Sequence, residues 1–175
     1  MNWPNRLSIL RVACVPFLVL LLSLPGQAAR WAAPVLFALA SFTDFLDGHL
    51  ARKNQWVTVF GKFIDPVADK LLVLSAFVML CSLGLMPAWM AILILARELS
   101  VDGLRMVAVS AGKVIAAGPL GKIKTASQMA LILLLLVLRT PVFSSWLCGI
   151  VGVWVCVITL WSGADYFIRH QDILS

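Results

Sequence analysis

Charged residues are scarce in this chain. Asp, Glu, Lys and Arg make up 13% of its 175 residues, whereas 62% are hydrophobic. A soluble domain of this size could not bury so many apolar side chains. Several apolar runs approach the roughly 20 residues that cross a bilayer core. The scarcity of charge therefore excludes an ordinary soluble domain and predicts an integral membrane protein, in which lipid solvates the apolar surface.

Cysteine and histidine are also few, with four and two residues. No Cys-x-x-Cys pair occurs and no histidine neighbours a cysteine, which argues against a thiolate metal site. We expect the cysteines to be small buried hydrophobic residues in a reduced compartment. They are Cys14, Cys81, Cys148 and Cys156.

Six apolar segments predict six transmembrane helices in one all-α domain that covers residues 1–175. The helices are expected at 7–24, 31–52, 61–84, 88–110, 120–138 and 145–165. Polar, Pro-rich or Gly-rich residues separate them, and no internal repeat is evident. The first segment also resembles a signal peptide, an alternative disfavoured by the late Arg11 and the five segments that follow.

Positive charges predict the orientation. With six spans both termini lie on one side; if that side is cytosolic, it holds twelve of the fourteen Lys and Arg, all except Arg30 and Arg139. The sequence thus predicts cytosolic termini and a cytosolic connection at 53–60. The net charge of +6 suits anionic headgroups and solutes. Nucleic acid is not expected, because no basic-aromatic pattern or recognition motif accompanies the charge.

Four aspartates lie close together in this apolar chain. Asp44 and Asp47 are three residues apart near the end of the second helix, and Asp65 and Asp69 are four apart near the beginning of the third. Each spacing puts a pair on one helix face. Because the two helices are joined by a short loop and run antiparallel, we expect the four carboxylates to converge at the cytosolic interface. Pro66 predicts that the third helix begins near Phe63 or bends there.

Converging carboxylates repel one another unless cations neutralise them. Hard oxygen ligands without His or Cys favour Mg2+ or Mn2+ over zinc. Two such ions can clamp the attacking and leaving oxygens of a phosphoryl displacement. The alternative is a set of helix-end salt bridges to Arg52, Lys62 and Lys70. Intramembrane acids usually mark function, which favours the metal site.

The same stretch resembles the signature of the CDP-alcohol phosphotransferases. That signature is Asp, two residues, Asp-Gly, two, Ala-Arg, eight, Gly, three, Asp, three, Asp. Here it runs from Asp44 to Asp69 through Asp47-Gly48, Ala51-Arg52, Gly61 and Asp65, with every spacing met. The resemblance implies transfer of a substituted phosphoryl group from a CDP-activated donor to an alcohol, with release of CMP. It also implies a six-helix membrane fold, a homodimer and a bacterial-type cell membrane.

Site residues follow from the resemblance by position. Asp44, Asp47, Asp65 and Asp69 would bind the metal ions, and Asp69 would also be the general base. Contacts to the CDP-lipid would come from Asn5, Ser8, Gly48, Arg52 and Thr58. Ser8 stands where Thr is more common in the family.

Three further segments, at 96–105, 121–128 and 160–166, resemble the branch of the family that uses glycerol 3-phosphate as acceptor, with CDP-diacylglycerol as donor. Basic and hydroxyl side chains in two of them predict a pocket for the acceptor phosphate: Arg97, Arg105, Lys122, Lys124 and Thr125. Arg105 could instead pair with Asp102 or Glu98, and the lysines could contact anionic lipid.

Other functions remain open at this point. Inositol phosphate or serine could be the acceptor within the same family. From another class, a cation transporter could use intramembrane carboxylates, but its site is expected near the bilayer midplane, often between repeated halves. The interfacial position of the aspartates and the absence of repeats favour the transferase.

Overall fold

The computed structural model describes residues 3–54, 59–110 and 118–171, and the side chains of 8–43, 67–68, 70–110 and 118–171. These residues form six α-helices and no strand, which confirms the predicted all-α class. The helices are α1 (Trp3–Ser23), α2 (Gln27–Asn54), α3 (Val59–Ser82), α4 (Ala88–Ser110), α5 (Pro119–Leu138) and α6 (Trp146–Arg169). Each matches one predicted segment to within a few residues.

Glycine and proline fix several helix ends. After α3, Gly84 adopts φ 69°, the left-handed conformation that glycine reaches without a steric cost. The amide of Leu85 donates to the carbonyl of Leu80 at 2.9 Å, and that of Gly84 donates to Cys81 at 3.0 Å. This pair of bonds is the Schellman motif, which satisfies carbonyls at the end of a helix. Pro119 begins α5, where a missing amide hydrogen costs nothing.

The start of α3 differs from one expectation. The helix begins at Val59 and not near Phe63, so Pro66 is its eighth residue. A proline is tolerated without loss only in the first turn, because further on it removes a helical hydrogen bond. Whether the helix bends at Pro66 stays a prediction.

The helices pack around one apolar core. α1 contacts α2 and α3; α5 contacts α6, α2 and α3; and α4 contacts α6 and α3. The largest apolar side chains that are completely buried come from five of the helices: Leu18, Phe37, Phe77, Leu80, Met90, Ile94, Leu131, Ile132 and Leu135. Large-to-small changes at such positions typically cost about 2–5 kcal/mol.

Two ends of the bundle can be distinguished. We call the end with the connections 24–26, 83–87 and 139–145 the hairpin end, and the opposite end, where α2 ends and α3 begins, the aspartate end. At the hairpin end the amide of Val142 donates to the carbonyl of Leu85 at 2.8 Å, which joins two of the connections. Exposed tryptophans stand in the first turns of α2, α4 and α6, at Trp31, Trp89 and Trp146.

The outer surface of the bundle is apolar. Exposed large hydrophobic side chains occur on every helix, among them Phe17, Leu39, Val78, Ile92, Ile123 and Trp161. A soluble monomer rarely exposes so much contiguous apolar surface, whereas lipid covers it without cost. Within the described residues, α5 and α6 are long and apolar enough to cross a membrane, and 8–23 and 70–82 are shorter apolar segments. The chain is accordingly an all-helical membrane protein.

Candidate active site

The fold places the four signature aspartates on two consecutive helices. Asp44 and Asp47 lie in the last third of α2, and Asp65 and Asp69 lie in the first half of α3. Only residues 55–58 separate these helices, and α2 contacts α3. The two pairs therefore belong to the same end of the bundle. Their side chains lie outside the described part of the chain, so the meeting of the four carboxylates stays a prediction.

Four of the five predicted CDP-lipid contacts also lie outside the described side chains. Gly48 and Arg52 are on α2, within two turns of Asp47, and Asn5 is near the beginning of α1. Thr58 falls in the segment between α2 and α3 that the structure does not describe. Because α1 packs against both α2 and α3, the residues early in α1 lie at the aspartate end.

The first helix contributes two buried polar side chains at this end. Ser8 is 2% exposed, and Arg11, three residues later, is also 2% exposed. Residues three apart share a helix face, so hydroxyl and guanidinium lie on the same side of α1. A buried Arg in an apolar helix is costly and usually functional. In the sequence, Arg11 served only as evidence against a signal peptide. Its position one turn after Ser8 could have identified it as a candidate site residue.

Glu98 of α4 brings together two of the predicted acceptor residues. Lys124 of α5 forms an ion pair with Glu98 Oε1, and Arg97 Nη1 lies 3.5 Å from the same oxygen. The side chains of Lys124 and Glu98 are only 5% and 11% exposed. Burial of either charge alone would cost several kcal/mol, so Glu98 makes the buried lysine tolerable. These three side chains together carry two positive charges and one negative charge.

Arg97 is also held by the sixth helix. Its Nη2 donates to Ser162 Oγ at 2.7 Å. The next residue, Gly163, allows close approach, because an added Cβ there would lie 3.1 Å from Arg97 Cγ. Sequence reasoning placed 160–166 in the acceptor branch without assigning a role to Ser162 or Gly163.

Arg105 lies two turns beyond Glu98 on α4 and contacts an aromatic residue. Its Nε donates to Tyr166 Oη at 2.9 Å, and its guanidinium carbon lies 5.4 Å from the centre of the Tyr166 ring. The His170 ring lies 4.7 Å from that of Tyr166. These contacts use Nε and the face of the guanidinium, so its two terminal nitrogens can still donate to a phosphate.

Both alternative partners considered for Arg105, Asp102 and Glu98, form ion pairs with other residues. Asp102 forms an ion pair with Lys70 of α3, which links α3 to α4. Lys70 directly follows Asp69 in sequence, so this pair fixes α4 beside the aspartate-bearing part of α3. The structure thus groups Arg105 with Tyr166 and Asp102 with Lys70.

The remaining acceptor candidates are less connected. Lys122 is exposed, in the first turn of α5. The Thr125 hydroxyl donates to the carbonyl of Gly121 at 3.0 Å, a bond within its own helix. Of the five candidates, the structure brings Arg97 and Lys124 together at Glu98, places Arg105 further along α4, and leaves Lys122 at the surface.

The donor set suits a hard divalent cation. Four aspartates on the facing ends of α2 and α3 supply only oxygen ligands, which Mg2+ and Mn2+ prefer. Among the described side chains, no group of three or more His, Cys, Asp or Glu comes together. The signature aspartates have the donor atoms that suit such ions.

Comparison with known proteins decides the family. Residues 1–161 match the family described as CDP-alcohol phosphatidyltransferase. The chain belongs to this family. The match covers the four signature aspartates and all the other predicted site residues, from Asn5 to Thr125. It confirms the resemblance seen in the sequence.

Relatives resemble the chain over nearly its whole length. A CDP-diacylglycerol–glycerol-3-phosphate 3-phosphatidyltransferase of Bacillus subtilis is 40% identical over 187 aligned positions, covering 99% of this chain and 97% of the relative. A protein of the same name from Rickettsia bellii is 39% identical, covering 95% of this chain and 93% of the relative. A probable phosphatidylglycerophosphate synthase of Mycobacterium tuberculosis is 41% identical, covering 96% of this chain and 81% of the relative.

Proposed function

We propose that the protein transfers the phosphatidyl group of CDP-diacylglycerol to sn-glycerol 3-phosphate, giving phosphatidylglycerophosphate and CMP. The observation that carries the proposal is the near full-length similarity, at about 40% identity, to transferases named for this donor and acceptor. The complete aspartate signature at the junction of α2 and α3 and the positive cluster on α4 and α5 support it.

The proposed reaction is a displacement at phosphorus. The acceptor hydroxyl forms a new bond to the phosphatidyl phosphorus, the bond from that phosphorus to the bridging oxygen of CDP breaks, and CMP leaves with the bond's electron pair. Asp69 accepts the hydroxyl proton. A carboxylate is a weak base for an alcohol, so proton transfer accompanies attack and does not precede it.

The aspartates would bind two Mg2+ or Mn2+ ions, which when bound neutralise negative charge on the pyrophosphate and on the leaving CMP. Arg52 would offer two parallel donors to a donor phosphate. Asn5, Ser8, Gly48 and Thr58 would complete the nucleotide and lipid contacts.

The acceptor phosphate would bind to the positive residues of α4 and α5. Arg97, Lys124 and Arg105 supply positive charge on these two helices, and Lys122 lies exposed two residues before Lys124. Glu98 would hold Arg97 and Lys124 in place while a dianionic phosphate provides the remaining counter-charge.

The proposed setting is a cell membrane of bacterial type, crossed by all six helices, with both termini and the active site on the cytosolic face. Twelve of the fourteen basic residues then face the cytosol. A homodimer is expected for the family, and light scattering of the purified protein would measure it.

The test is an assay of CMP release by the purified protein with CDP-diacylglycerol. We expect release to require both glycerol 3-phosphate and a divalent ion, to stop with EDTA, and to resume when Mg2+ or Mn2+ is restored. Free glycerol should support a much slower reaction, because it lacks the phosphate that the basic residues bind. Faster release with inositol phosphate or serine would overturn the acceptor assignment and keep the family chemistry. Divalent-ion uptake by vesicles without any CMP release would instead favour a transporter.

A further inference from the structure

Two arginines at the hairpin end form no ion pair with an acidic side chain among the described residues. Arg30 lies in the first turn of α2, and Arg139 caps the end of α5, which packs against α2. Seven of the eight acidic residues lie close to the middle of a helix or in the half nearer the aspartate end. The eighth, Asp172, follows α6 in sequence. Within the described part of the chain no acidic side chain supplies counter-charge to these two arginines, so an external anion can do so.

Arg139 is held in an unusual conformation with a donor directed inward. Its backbone has φ 53° and ψ 32°, in the left-handed region, and its amide donates to the Leu135 carbonyl at 2.9 Å. Its Nε is buried and has no hydrogen-bond partner among the described residues. A buried donor without a partner is destabilising, and an acceptor atom of a ligand would satisfy it.

The two guanidinium groups also lie within each other's electrostatic field. Burial, and to a smaller extent the positive charge of Arg30, lowers the pKa of the Arg139 guanidinium. Like charges at such a position repel one another until an anion lies between or beside them. Next to Arg30 an open cavity is lined by Gly26, Gln27 and Trp31.

The surroundings indicate an anion that carries apolar chains. Exposed tryptophans in the first turns of α2, α4 and α6 mark this end as a membrane interface, where Trp side chains are enriched. Exposed apolar residues lie on the same helices toward the bilayer core, Val35 five residues after Arg30 and Leu138 immediately before Arg139. A ligand here would have its charge at headgroup depth and its body in hydrocarbon.

We propose that Arg30 and Arg139 bind the phosphate of an anionic phospholipid headgroup at the end of the bundle opposite the aspartates. Guanidinium groups suit this ligand, because each can donate two parallel hydrogen bonds to phosphate oxygens. The site goes beyond the proposed transferase activity, and failure of the CMP assay would leave it untouched.

Native mass spectrometry of the detergent-purified full chain tests the proposal. The titration compares phosphatidylserine with phosphatidylcholine, whose headgroup carries no net charge. The Arg30→Gln/Arg139→Asn variant removes both guanidinium groups; Asn is chosen because it tolerates a left-handed backbone. We expect it to lose the preference for phosphatidylserine, with binding weakened at least tenfold. Arg30→Lys/Arg139→Lys should retain most of the preference.

The matched control is Arg169→Gln, an exposed arginine near the aspartate end that is bonded to Asp165. It should bind phosphatidylserine like the unaltered protein. Retention of the preference in the double variant, or equal loss in the control, would overturn the proposal. Millimolar inorganic phosphate is added in a competition experiment. If it displaces lipid equally from the unaltered protein and from the control, the site binds free phosphate and the lipid assignment is overturned. If the double variant does not fold, Arg30→Gln alone decides, because Arg30 is exposed and its loss leaves the α5 cap intact.

Discussion

Asp69 is the residue on which the proposed chemistry depends most directly. Asp69→Asn should remove nearly all CMP release while the protein folds and binds CDP-diacylglycerol, because the amide has nearly the same shape but cannot accept the hydroxyl proton. Turnover and donor binding are measured on the same preparation.

The matched control for this change is Asp165→Asn, which alters an exposed carboxylate bonded to Arg169 at 2.7 Å. It should leave turnover unchanged. Near-normal turnover of Asp69→Asn would refute its role as the base. Loss of donor binding together with turnover would leave the base role unproven, because Asp69 is also a predicted metal ligand.

Arg105 offers a second test at the level of single residues. If its terminal nitrogens bind the acceptor phosphate, Arg105→Ala removes charge-assisted bonds that are typically worth about 1.5–3 kcal/mol. The Michaelis constant for glycerol 3-phosphate should rise by about one to two orders of magnitude, while that for CDP-diacylglycerol stays the same.

Tyr166→Phe separates binding from positioning at the same place. It removes the hydroxyl that accepts from Arg105 Nε at 2.9 Å and keeps the ring beneath the guanidinium. We expect the same Michaelis constant to rise, but less than in Arg105→Ala. Equal losses for both substrates in Arg105→Ala would show that Arg105 only supports the structure.

At the level of elements, the packing of α6 depends on one glycine. A Cβ on Gly152 would lie 2.7 Å from Val142 Cγ2 and 3.1 Å from Met90 Cε, whereas a Cβ on Gly149 would make only ordinary contacts, the nearest at 3.6 Å. Val142 has little freedom to move, because its amide bonds to Leu85 and its side chain is branched. The close approach of α6 to α4 and to the 139–145 connection therefore requires glycine at 152.

Gly152→Ala should destabilise the protein by about 1–3 kcal/mol, the usual range for overpacking a core. Gly149→Ala, one turn away on the same helix, should be neutral or slightly stabilising, since alanine favours a helix over glycine by about 0.5–1 kcal/mol. Unfolding midpoints of the two variants in the same detergent check this. A larger loss in Gly149→Ala would contradict the packing described for α6.

At the level of the whole molecule, the orientation in the membrane can be measured directly. A cysteine introduced at Lys53, at the end of α2, should react with a membrane-impermeant thiol reagent only from the cytosolic side, because it lies at the aspartate end. A cysteine at the exposed Ser144, at the hairpin end, should react only from outside. The native cysteines are buried or half-buried, which keeps background labelling low. The reversed pattern would overturn the orientation, and labelling of both from one side would overturn the six-span arrangement.

The helices and the aspartate pairs could be predicted because they depend on short-range patterns. Apolar runs interrupted by Pro25-Gly26, by Gly84 and by Pro119 give helix boundaries within a few residues. The third helix begins at Val59, two residues before the predicted segment and four before Phe63, one of the two alternatives that Pro66 suggested.

The membrane class, the six helices and the family can be predicted from composition and a fixed signature, because both are recognisable without knowledge of contacts. The side-chain pairings could not be predicted in this way: Lys124 and Arg97 at Glu98, Asp102 with Lys70, and Arg105 with Tyr166. Each of these pairings except Arg97 with Glu98 joins different helices, up to 61 residues apart in sequence. The rotation and depth at which packed helices meet set such contacts, and neither is encoded in a local pattern.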